Sequence, residues 1–264
     1  MRFKPYIGIT GPATIDEVKY VVEEFQKAGY NLGSGHPPMI GFLVSHKTLS
    51  GEPTKNRRYP KVETLRVLLE EVGKRAFTTL HYNSKEQSTL AAQLQALFGE
   101  GIYEEALCRA VQLNIVNPDI CQIGEIKSRL PDLRIIFQVS HKTMGGRTPR
   151  EVAQHVLPYS NFISYILIDP SGGKGAEFDI GKSLQISEAL KERLPLVTVG
   201  FAGGFTGDNV AQRTRTLIER LGTSDFCIDA EGGLRDKVTD AYGDDLFNRE
   251  KVRRYIETAA KALK

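Results

Sequence analysis

The sequence predicts an α/β protein whose fold is a single (β/α)8 TIM barrel, with residues 1–264 forming one domain. Eight short apolar runs alternate with eight segments of helical period, and neither a long linker nor a change of composition interrupts them. The last two apolar runs end at the pairs Gly203-Gly204 and Gly232-Gly233. Barrels of this type hold phosphate in the loops after strands 7 and 8. A doubly wound open sheet is the alternative fold, but the eightfold count and the glycine pairs favour the barrel.

Hydrophobic periodicity defines the predicted elements in chain order. The predicted strands are Tyr6–Ile9, Met39–Val44, Ala76–His81, Ala110–Leu113, Ile135–Val139, Tyr165–Ile168, Leu196–Gly200 and Phe226–Asp229. The predicted helices are Thr14–Lys27, Lys61–Glu71, Glu86–Leu97, Pro118–Arg129, Thr148–Leu157, Ile180–Arg193, Asp208–Leu221 and Arg249–Leu263. The strand runs are apolar on both faces, which is typical of parallel strands covered by helices.

Capping residues support several of the predicted helix ends. Asp208 and Asn248 precede helical stretches, and Thr148 precedes a helix whose first residue is Pro149. Gly222 falls where a helix should stop, since glycine readily adopts the left-handed backbone found at helix ends.

Composition and charge exclude several classes of function. A hydrophobic content of 41% and a charged content of 25% are typical of a globular protein with a sizeable core. The net charge of +3 argues against nucleic acid, and no apolar run reaches membrane-spanning length. The three cysteines lack metal-ligand spacing, and no disulfide framework is expected. We expect a cytoplasmic protein that contacts neither nucleic acid nor membrane, and a homodimer is left open.

The best candidate for proton transfer is Asp169, which ends the apolar run Tyr165-Ile-Leu-Ile. Barrel enzymes carry their sites at the carboxyl ends of the strands, so this carboxyl group should emerge at the rim of an apolar interior. The alternative is a carboxylate that only fixes the turn before Pro170, because aspartate often begins turns.

Three histidines, His46, His81 and His141, also fall at predicted strand ends. An imidazole in such a place can serve as acid, base or polar substrate contact. The alternative for each is a rim histidine that only bonds to a neighbouring loop. A metal site is disfavoured because the acidic residues nearby lack a tight spacing.

Two loop features indicate anion binding. Arg58 carries the planar fork that binds oxyanions through two hydrogen bonds, although a solvated charge is an equal alternative. The loop Gly172-Gly-Lys-Gly175 is predicted to cover the site as a mobile lid, with Gly172 and Gly173 against the ligand; a simple turn is the alternative. Lys142 and Lys174 lie outside the interior of any predicted strand, so a Schiff base is disfavoured.

A set of short segments occurs in an order found in one known enzyme family. The segments are Tyr6-Ile-Gly-Ile-Thr10, Ile40-Gly-Phe-Leu-Val44, Arg58-Tyr59, Val111-Gln-Leu-Asn114, Leu167-Ile-Asp169, Gly172-Gly-Lys-Gly-Ala-Glu-Phe-Asp179, Ala202-Gly-Gly-Phe-Thr206 and Ile228-Asp-Ala-Glu-Gly-Gly233. In this order they resemble phosphoribosylanthranilate isomerases over nearly the whole chain. The resemblance implies a barrel that opens a phosphorylated ribosylamine by an Amadori rearrangement in tryptophan biosynthesis, without metal or cofactor.

The resemblance also implies roles for individual residues. Asp169 resembles the family's general acid, which protonates the ring oxygen as the sugar opens. Arg58 resembles an arginine that contacts the substrate. The glycine pairs at 203–204 and 232–233 resemble turns that bind the phosphate.

Three positions depart from the family pattern. The family's general base is a cysteine directly before Gly-Ile-Thr, whereas Ile7 stands there in this chain and cannot move a proton. The family's Gln-Leu-His is Gln-Leu-Asn114, and Glu231 replaces a small hydroxyl residue beside the expected phosphate. Loss of a general base should slow the reaction by a factor of about 100 to 10,000 unless another group replaces it.

We therefore expect an isomerase that acts on a small phosphorylated, sugar-like metabolite by general acid/base catalysis. Asp169 is the expected acid, His81 or His141 the substitute base, and no cofactor is expected. One alternative is a lyase or aldolase for a small phosphorylated or carboxylated metabolite. Another is a barrel that binds a phosphometabolite without turnover. Fold does not decide among them, because barrels host many unrelated reactions.

Overall fold

Eight parallel strands close into a barrel in which each strand pairs with the next along the chain, and the last pairs with the first. The computed structural model describes residues 2–171, 179–241 and 243–263. The prediction of a (β/α)8 barrel is confirmed, and the open sheet is excluded.

The barrel strands are β1 (Ile7–Thr10), β2 (Pro38–Ser45), β3 (Phe77–Asn83), β4 (Ala110–Leu113), β5 (Arg134–Ser140), β6 (Tyr165–Asp169), β7 (Thr198–Ala202) and β8 (Cys227–Ala230). The helices are α1 (Ile15–Lys27), α2 (His46–Leu49), α3 (Leu65–Val72), α4 (Leu90–Leu97), α5 (Ile120–Arg129), α6 (His141–Met144), α7 (Pro149–Val156), α8 (Ile180–Arg193), α9 (Val210–Leu221) and α10 (Arg249–Ala262). Strands β9 (Arg235–Lys237) and β10 (Asp245–Phe247) form an antiparallel hairpin outside the barrel. Within the described residues, no helix is long and apolar enough to cross a membrane.

Side chains on the barrel strands alternate between two apolar regions, as the two-residue period of a strand requires. Ile7 and Ile9 of β1 point outward into the large core between strands and helices. Tyr6, just before β1, points inward and packs with Met39 and Tyr165 in a smaller core inside the barrel. Below the carboxyl ends, the barrel interior is therefore filled with packed side chains.

Most predicted elements match the observed ones to within a few residues, and the largest strand error lies at β7. The strand was predicted to begin at Leu196, but it begins at Thr198, where pairing with Tyr165 of β6 starts. Leu196 is 69% exposed, in the turn after α8. An apolar residue in that turn was mistaken for the start of the strand.

Of the four predicted helix caps, three are confirmed and one is wrong. Thr148 caps α7 together with Glu151, and the side chain of Asn248 accepts from the Lys251 amide at the start of α10. Helix α9 starts after Asn209 rather than at Asp208, whose carboxylate pairs with Arg254 instead. Gly222 ends α9 with a positive φ of 66°, as predicted.

Three elements at the carboxyl ends of the strands escaped prediction. Helices α2 and α6 are single turns that follow β2 and β5 directly, each capped by a serine, Ser45 or Ser140. The β9–β10 hairpin fills the long segment after β8. Elements this short lack enough residues to show a hydrophobic period, and all three lie around the mouth of the barrel.

Candidate functional site

A cavity of about 840 Å³ opens at the carboxyl ends of the barrel strands. The predicted site residues that line it are Asp169, His81, His141, Gly203, Gly204 and Gly232. Arg58 and Gly233, described residues also predicted to bind substrate, are not part of this lining. Gly172, Gly173 and the rest of the predicted lid lie outside the described residues.

The inner face of the barrel is polar at this end, which corrects the prediction of strands apolar on both faces. Thr10, Gln112 and Gln138 are buried on inward-facing positions of β1, β4 and β5. Buried polar groups lower stability unless they are hydrogen-bonded or serve a ligand. The Oε1 atom of Gln112 is buried, and none of the described residues donates a hydrogen bond to it. Since Gln112 lines the cavity, this oxygen is available to a donor on a ligand.

Asp169 ends β6 and is 4% exposed. Its Oδ2 atom accepts from Gln138 Nε2 at 2.7 Å, and Oδ1 accepts from the amide and hydroxyl of Ser171 at 3.0 and 2.8 Å. The expected turn-fixing role is thus present through Ser171, and the carboxyl group also lines the cavity. A carboxyl group held from two sides has a fixed direction, which general acid catalysis requires.

His81 lies on β3 and is 2% exposed, yet its ring lines the cavity. Its Nε2 atom is 3.5 Å from the Thr10 hydroxyl. Burial lowers the pKa of the His81 imidazole to about 3, so the ring is neutral at physiological pH. The desolvated interior disfavours the charged ring, so His81 would enter any proton transfer as a neutral imidazole.

Asp229 of β8 is a buried cavity residue that the sequence analysis did not single out. The Thr10 hydroxyl lies 3.1 Å from both of its carboxyl oxygens and donates to them. Burial, and after it the charge of Glu231, raises the pKa of the Asp229 carboxyl well above its ordinary value. We call Thr10, His81 and Asp229 the inner cluster.

Two glycines on neighbouring strands make room for the inner cluster. A Cβ at Gly8 would lie 2.6 Å from Asp229 Oδ1, and a Cβ at Gly41 would lie 2.5 Å from His81 Nε2. Neither position has a positive φ, so close approach of side chains, not backbone conformation, explains these glycines. Glycines within the first two predicted strands, each next to a strand that carries a polar residue, are the sequence signal that could have located the cluster.

Arg58 is held between two carboxylates. Its Nη1 donates to Glu231 Oε1 at 2.6 Å and its Nη2 to Asp245 Oδ2 at 2.5 Å. Arg235 lies 3.5 Å from Asp245 and completes what we call the rim cluster. Arg58 is thus neither the solvated charge nor, in this arrangement, the open oxyanion clamp that were considered. Glu231 lies beside the expected phosphate, where its negative charge would oppose an anion, but Arg58 offsets that charge.

The glycine loops after β7 and β8 present backbone amides at the cavity wall. Gly203 and Gly204 have φ values of 107° and 63°, conformations that favour glycine. Their carbonyl oxygens are held by Arg213 at 2.9 Å and Asn209 at 2.8 Å. The amides of Gly203, Gly204 and Gly232 donate to no acceptor in the part of the chain that the structure describes. Backbone amides left unpaired in glycine turns are suited to an anion.

The remaining predicted groups lie at the edge of the cavity or away from it. His141 and Lys142 begin α6, are exposed and line the cavity mouth. His46 begins α2 and is not part of the lining. Among the described residues, no group of three or more His, Cys, Asp or Glu side chains is placed to hold a metal ion.

Ile7, the residue at the family's cysteine position, points away from the cavity. It is fully buried and packs in the outer core, while its neighbour Gly8 faces Met39 and Asp229 inside the barrel. A cysteine at position 7 would therefore not reach a ligand in this cavity.

Comparison with solved structures confirms the fold that the resemblance implied. Phosphoribosyl anthranilate isomerase from Thermotoga maritima is 18% identical, with 97% of this chain and 98% of that chain covered and a TM-score of 0.61. TrpF from Jonesia denitrificans is 18% identical over 98% of each chain with a TM-score of 0.56. Tryptophan synthase subunit alpha from Legionella pneumophila is 10% identical, covers 98% of this chain and 91% of its own, and has a TM-score of 0.57. At these identities the likeness shows a shared barrel fold.

Searches by sequence gave no match: no protein-family model and no curated protein matches the chain.

Proposed function

We propose that the barrel isomerises a small phosphorylated, sugar-like metabolite by general acid/base catalysis. The observation that carries the proposal is the convergence of three features in one cavity: the oriented carboxyl group of Asp169, the imidazole of His81 and the free amides of the two glycine loops. An aldose–ketose rearrangement needs one group to donate a proton to oxygen and another to accept one from carbon. A phosphate bound at the amides would hold the sugar between them.

The roles follow from where each group lies. Asp169 is the proposed acid, since Gln138 and Ser171 fix its direction. His81 is the proposed base because it is neutral and buried beside the reacting space, whereas His141 is exposed at the mouth. The amides of the glycine loops supply the proposed phosphate site. The orphan oxygen of Gln112 is positioned to accept from a sugar hydroxyl.

The substrate need not be that of the phosphoribosylanthranilate isomerases. Arg58, which resembles the substrate-contacting arginine of that family, is occupied by Glu231 and Asp245. Burial raises the pKa of the Glu231 carboxyl and the Arg58 guanidinium offsets part of that rise, so the two groups act as a pair. This favours a related phosphosugar over the anthranilate conjugate itself.

A turnover screen tests the proposal. Phosphorylated aldoses and aromatic-amine conjugates of phosphoribose are incubated with the protein, and isomeric products are detected by NMR. We expect turnover of at least one compound. Asp169→Asn should lower its rate by a factor of about 100 to 10,000 while leaving the melting temperature nearly unchanged. Asp208→Asn, at a side chain 73% exposed, is the matched control and should leave the rate unchanged.

Two outcomes would count against the proposal. Binding of several phosphosugars without turnover of any would support a barrel that binds a phosphometabolite without catalysis. A large loss of stability in Asp169→Asn would assign that carboxyl to the fold instead of the chemistry. Growth of a tryptophan auxotroph that lacks the isomerase, on expression of this chain, would restore the anthranilate conjugate as the substrate.

A further inference from the structure

One buried polar atom in the cavity wall has no partner in the part of the chain that the structure describes. Gln112 of β4 is 2% exposed and lines the cavity, and its Oε1 atom receives no hydrogen bond from a described residue. Its neighbours Val111 and Leu113 pack in the outer core, so Gln112 points inward. A buried acceptor without a donor lowers stability, and a ligand that donates to it removes that cost.

Asn114 determines which end of the Gln112 amide is left free. The Nε2 group of Gln112 donates to Asn114 Oδ1 at 2.9 Å. Asn114 lies two residues beyond Gln112, and its backbone amide donates to the Tyr82 carbonyl of β3 at 2.9 Å. Pairing with β3 therefore continues past the end of β4, and both side chains share the inner face. With Nε2 turned towards Asn114, the free end of the amide is Oε1, which only accepts hydrogen bonds.

Gln112 lies between the proposed base and the proposed acid. His81 is its direct partner in the pairing of β3 with β4. On the other side, β5 carries Gln138, whose Nε2 donates to Asp169 Oδ2 at 2.7 Å. These four side chains follow one another on the neighbouring strands β3 to β6, and all of them line the cavity. A substrate that contacts both His81 and Asp169 must pass over Gln112.

We propose that Gln112, positioned by Asn114, selects substrates that carry a hydroxyl group near the reacting carbon. The inference rests on the proposed function, because the roles of His81 and Asp169 place the reacting atoms beside Gln112. It narrows the substrate class to sugar phosphates that keep this hydroxyl group, and it disfavours deoxy and O-alkylated sugars. Gln112 accepts a hydrogen bond and takes no proton, so it determines specificity. Asn114 acts through Gln112 and is a positioning residue.

Binding of phosphorylated sugar alcohols tests the inference without any turnover. These compounds lack a carbonyl group and therefore do not isomerise. Affinities of five- and six-carbon alditol phosphates are measured by isothermal titration, together with analogues in which one hydroxyl group at a time is replaced by fluorine. Fluorine is close to a hydroxyl group in size but donates no hydrogen bond. We expect one replacement to weaken binding to the wild type by about 10-fold or more.

Variants show whether that loss belongs to Gln112. In Gln112→Met, which keeps the length of the side chain and lacks the amide, the parent compound and this fluoro analogue should bind alike, with the melting temperature nearly unchanged. Asn114→Ala frees the Gln112 amide to turn, so it should reduce the same selectivity. Asn117→Ala is the matched control, because Asn117 is exposed and lies outside the cavity lining, and it should keep the selectivity.

The inference is overturned if every fluoro analogue binds the wild type as tightly as its parent, or if Gln112→Met keeps the selectivity. If Gln112→Met does not fold, Asn114→Ala decides: unchanged selectivity contradicts the inference and its loss supports it. A wild type that binds no alditol phosphate would also overturn it. Selective binding without turnover of any phosphosugar would defeat the proposed isomerase and leave the role of Gln112 intact.

Discussion

The inner cluster and the rim cluster both bury polar groups at the mouth of one barrel, but they handle charge differently. In the rim cluster, two arginines and two carboxylates, Arg58, Arg235, Glu231 and Asp245, neutralise one another through ion pairs. The inner cluster contains no cation: its histidine is neutral, and its carboxyl group has a raised pKa. The first arrangement fixes charge in place, whereas the second keeps protons that can move.

The difference suggests a division of labour around the cavity. A buried ion pair fixes the positions of its two side chains, and the protein becomes much less stable when one partner is removed. The Arg58 pairs join the segment after β2 to the loop after β8 through Glu231 and to β10 through Asp245, which lie 173 and 187 positions away in sequence. The inner cluster is held by hydrogen bonds between side chains that favour their uncharged forms, which suits proton transfer. We infer that the rim cluster shapes the mouth and the inner cluster serves the chemistry.

Removal of the shared cation should have the largest effect. Arg58→Met leaves Glu231 and Asp245 buried without their main partner, and we expect a loss of about 3–5 kcal/mol in the free energy of unfolding by urea denaturation. Arg57→Met is the matched control. Arg57 pairs with Asp244 at 3.0 Å but is 52% exposed, so its loss should be at most about 1 kcal/mol. Equal losses in the two variants would contradict the description of a buried rim cluster.

Filling the space kept by glycine should have the next largest effect. In Gly41→Ala the new Cβ would lie 2.5 Å from His81 Nε2 and 2.7 Å from Thr10 Oγ1, so the inner cluster must shift. We expect a loss of about 1–3 kcal/mol in the free energy of unfolding. Gly35→Ala, where no atom lies within 4 Å, is the control. A Gly41→Ala variant as stable as wild type would show that the cluster is not tightly packed.

The neutral histidine should make stability depend on pH in acid. Because the folded pKa of His81 is about 3, below its unfolded value, the unfolded chain binds more protons between these two values, and stability falls as pH drops through that window. Between about pH 4 and 6, His81→Gln should reduce the slope of the free energy of unfolding against pH by up to about 1.4 kcal/mol per pH unit, as measured by urea denaturation. The exposed variant His141→Gln serves as control. An unchanged slope in His81→Gln would mean that the ring is not held neutral. Asp229 acts in the opposite sense, since a raised folded pKa lowers stability as pH rises above its unfolded value.

The smallest expected effect concerns anion binding beside the rim cluster. Glu231→Gln removes a negative charge next to the free glycine amides and leaves Arg58 less neutralised, so inorganic phosphate should bind a few-fold more tightly. Isothermal titration with phosphate measures the change, with Glu63→Gln on the exposed surface as control. Weaker binding in Glu231→Gln would place the anion elsewhere in the cavity.

The fold was predictable because it depends on signals that repeat along the chain. Apolar runs, helical periods and strand-end glycines each recur, so an error such as that at β7 leaves the barrel intact. The location of Asp169 and His81 at strand ends followed from the same reasoning. The structure brings both into one cavity.

The polar clusters were harder to predict because they depend on side-chain direction and on distant partners. Successive residues of a strand point to opposite faces, so Gly8 faces the interior of the barrel and Ile7 faces the outer core. The sequence motif alone does not show which of the two residues points inward. Asp229 was predicted only as the last residue of the eighth strand, and the direction of its side chain was not considered. The pairing of Arg58 with Asp245 joins segments 187 residues apart, and sequence spacing gives no signal for it.

Hydrogen exchange at carbon tests the central claim, acid/base isomerisation, most directly. Phosphorylated aldoses and ketoses are incubated with the protein in D2O, and deuterium at the carbon next to the carbonyl is followed by proton NMR. We predict enzyme-dependent exchange in at least one compound, lost in His81→Gln and kept in His46→Gln, whose side chain lies outside the cavity lining. Phosphate-dependent binding with no exchange in any compound would contradict the account and identify a barrel that binds its ligand without turning it over.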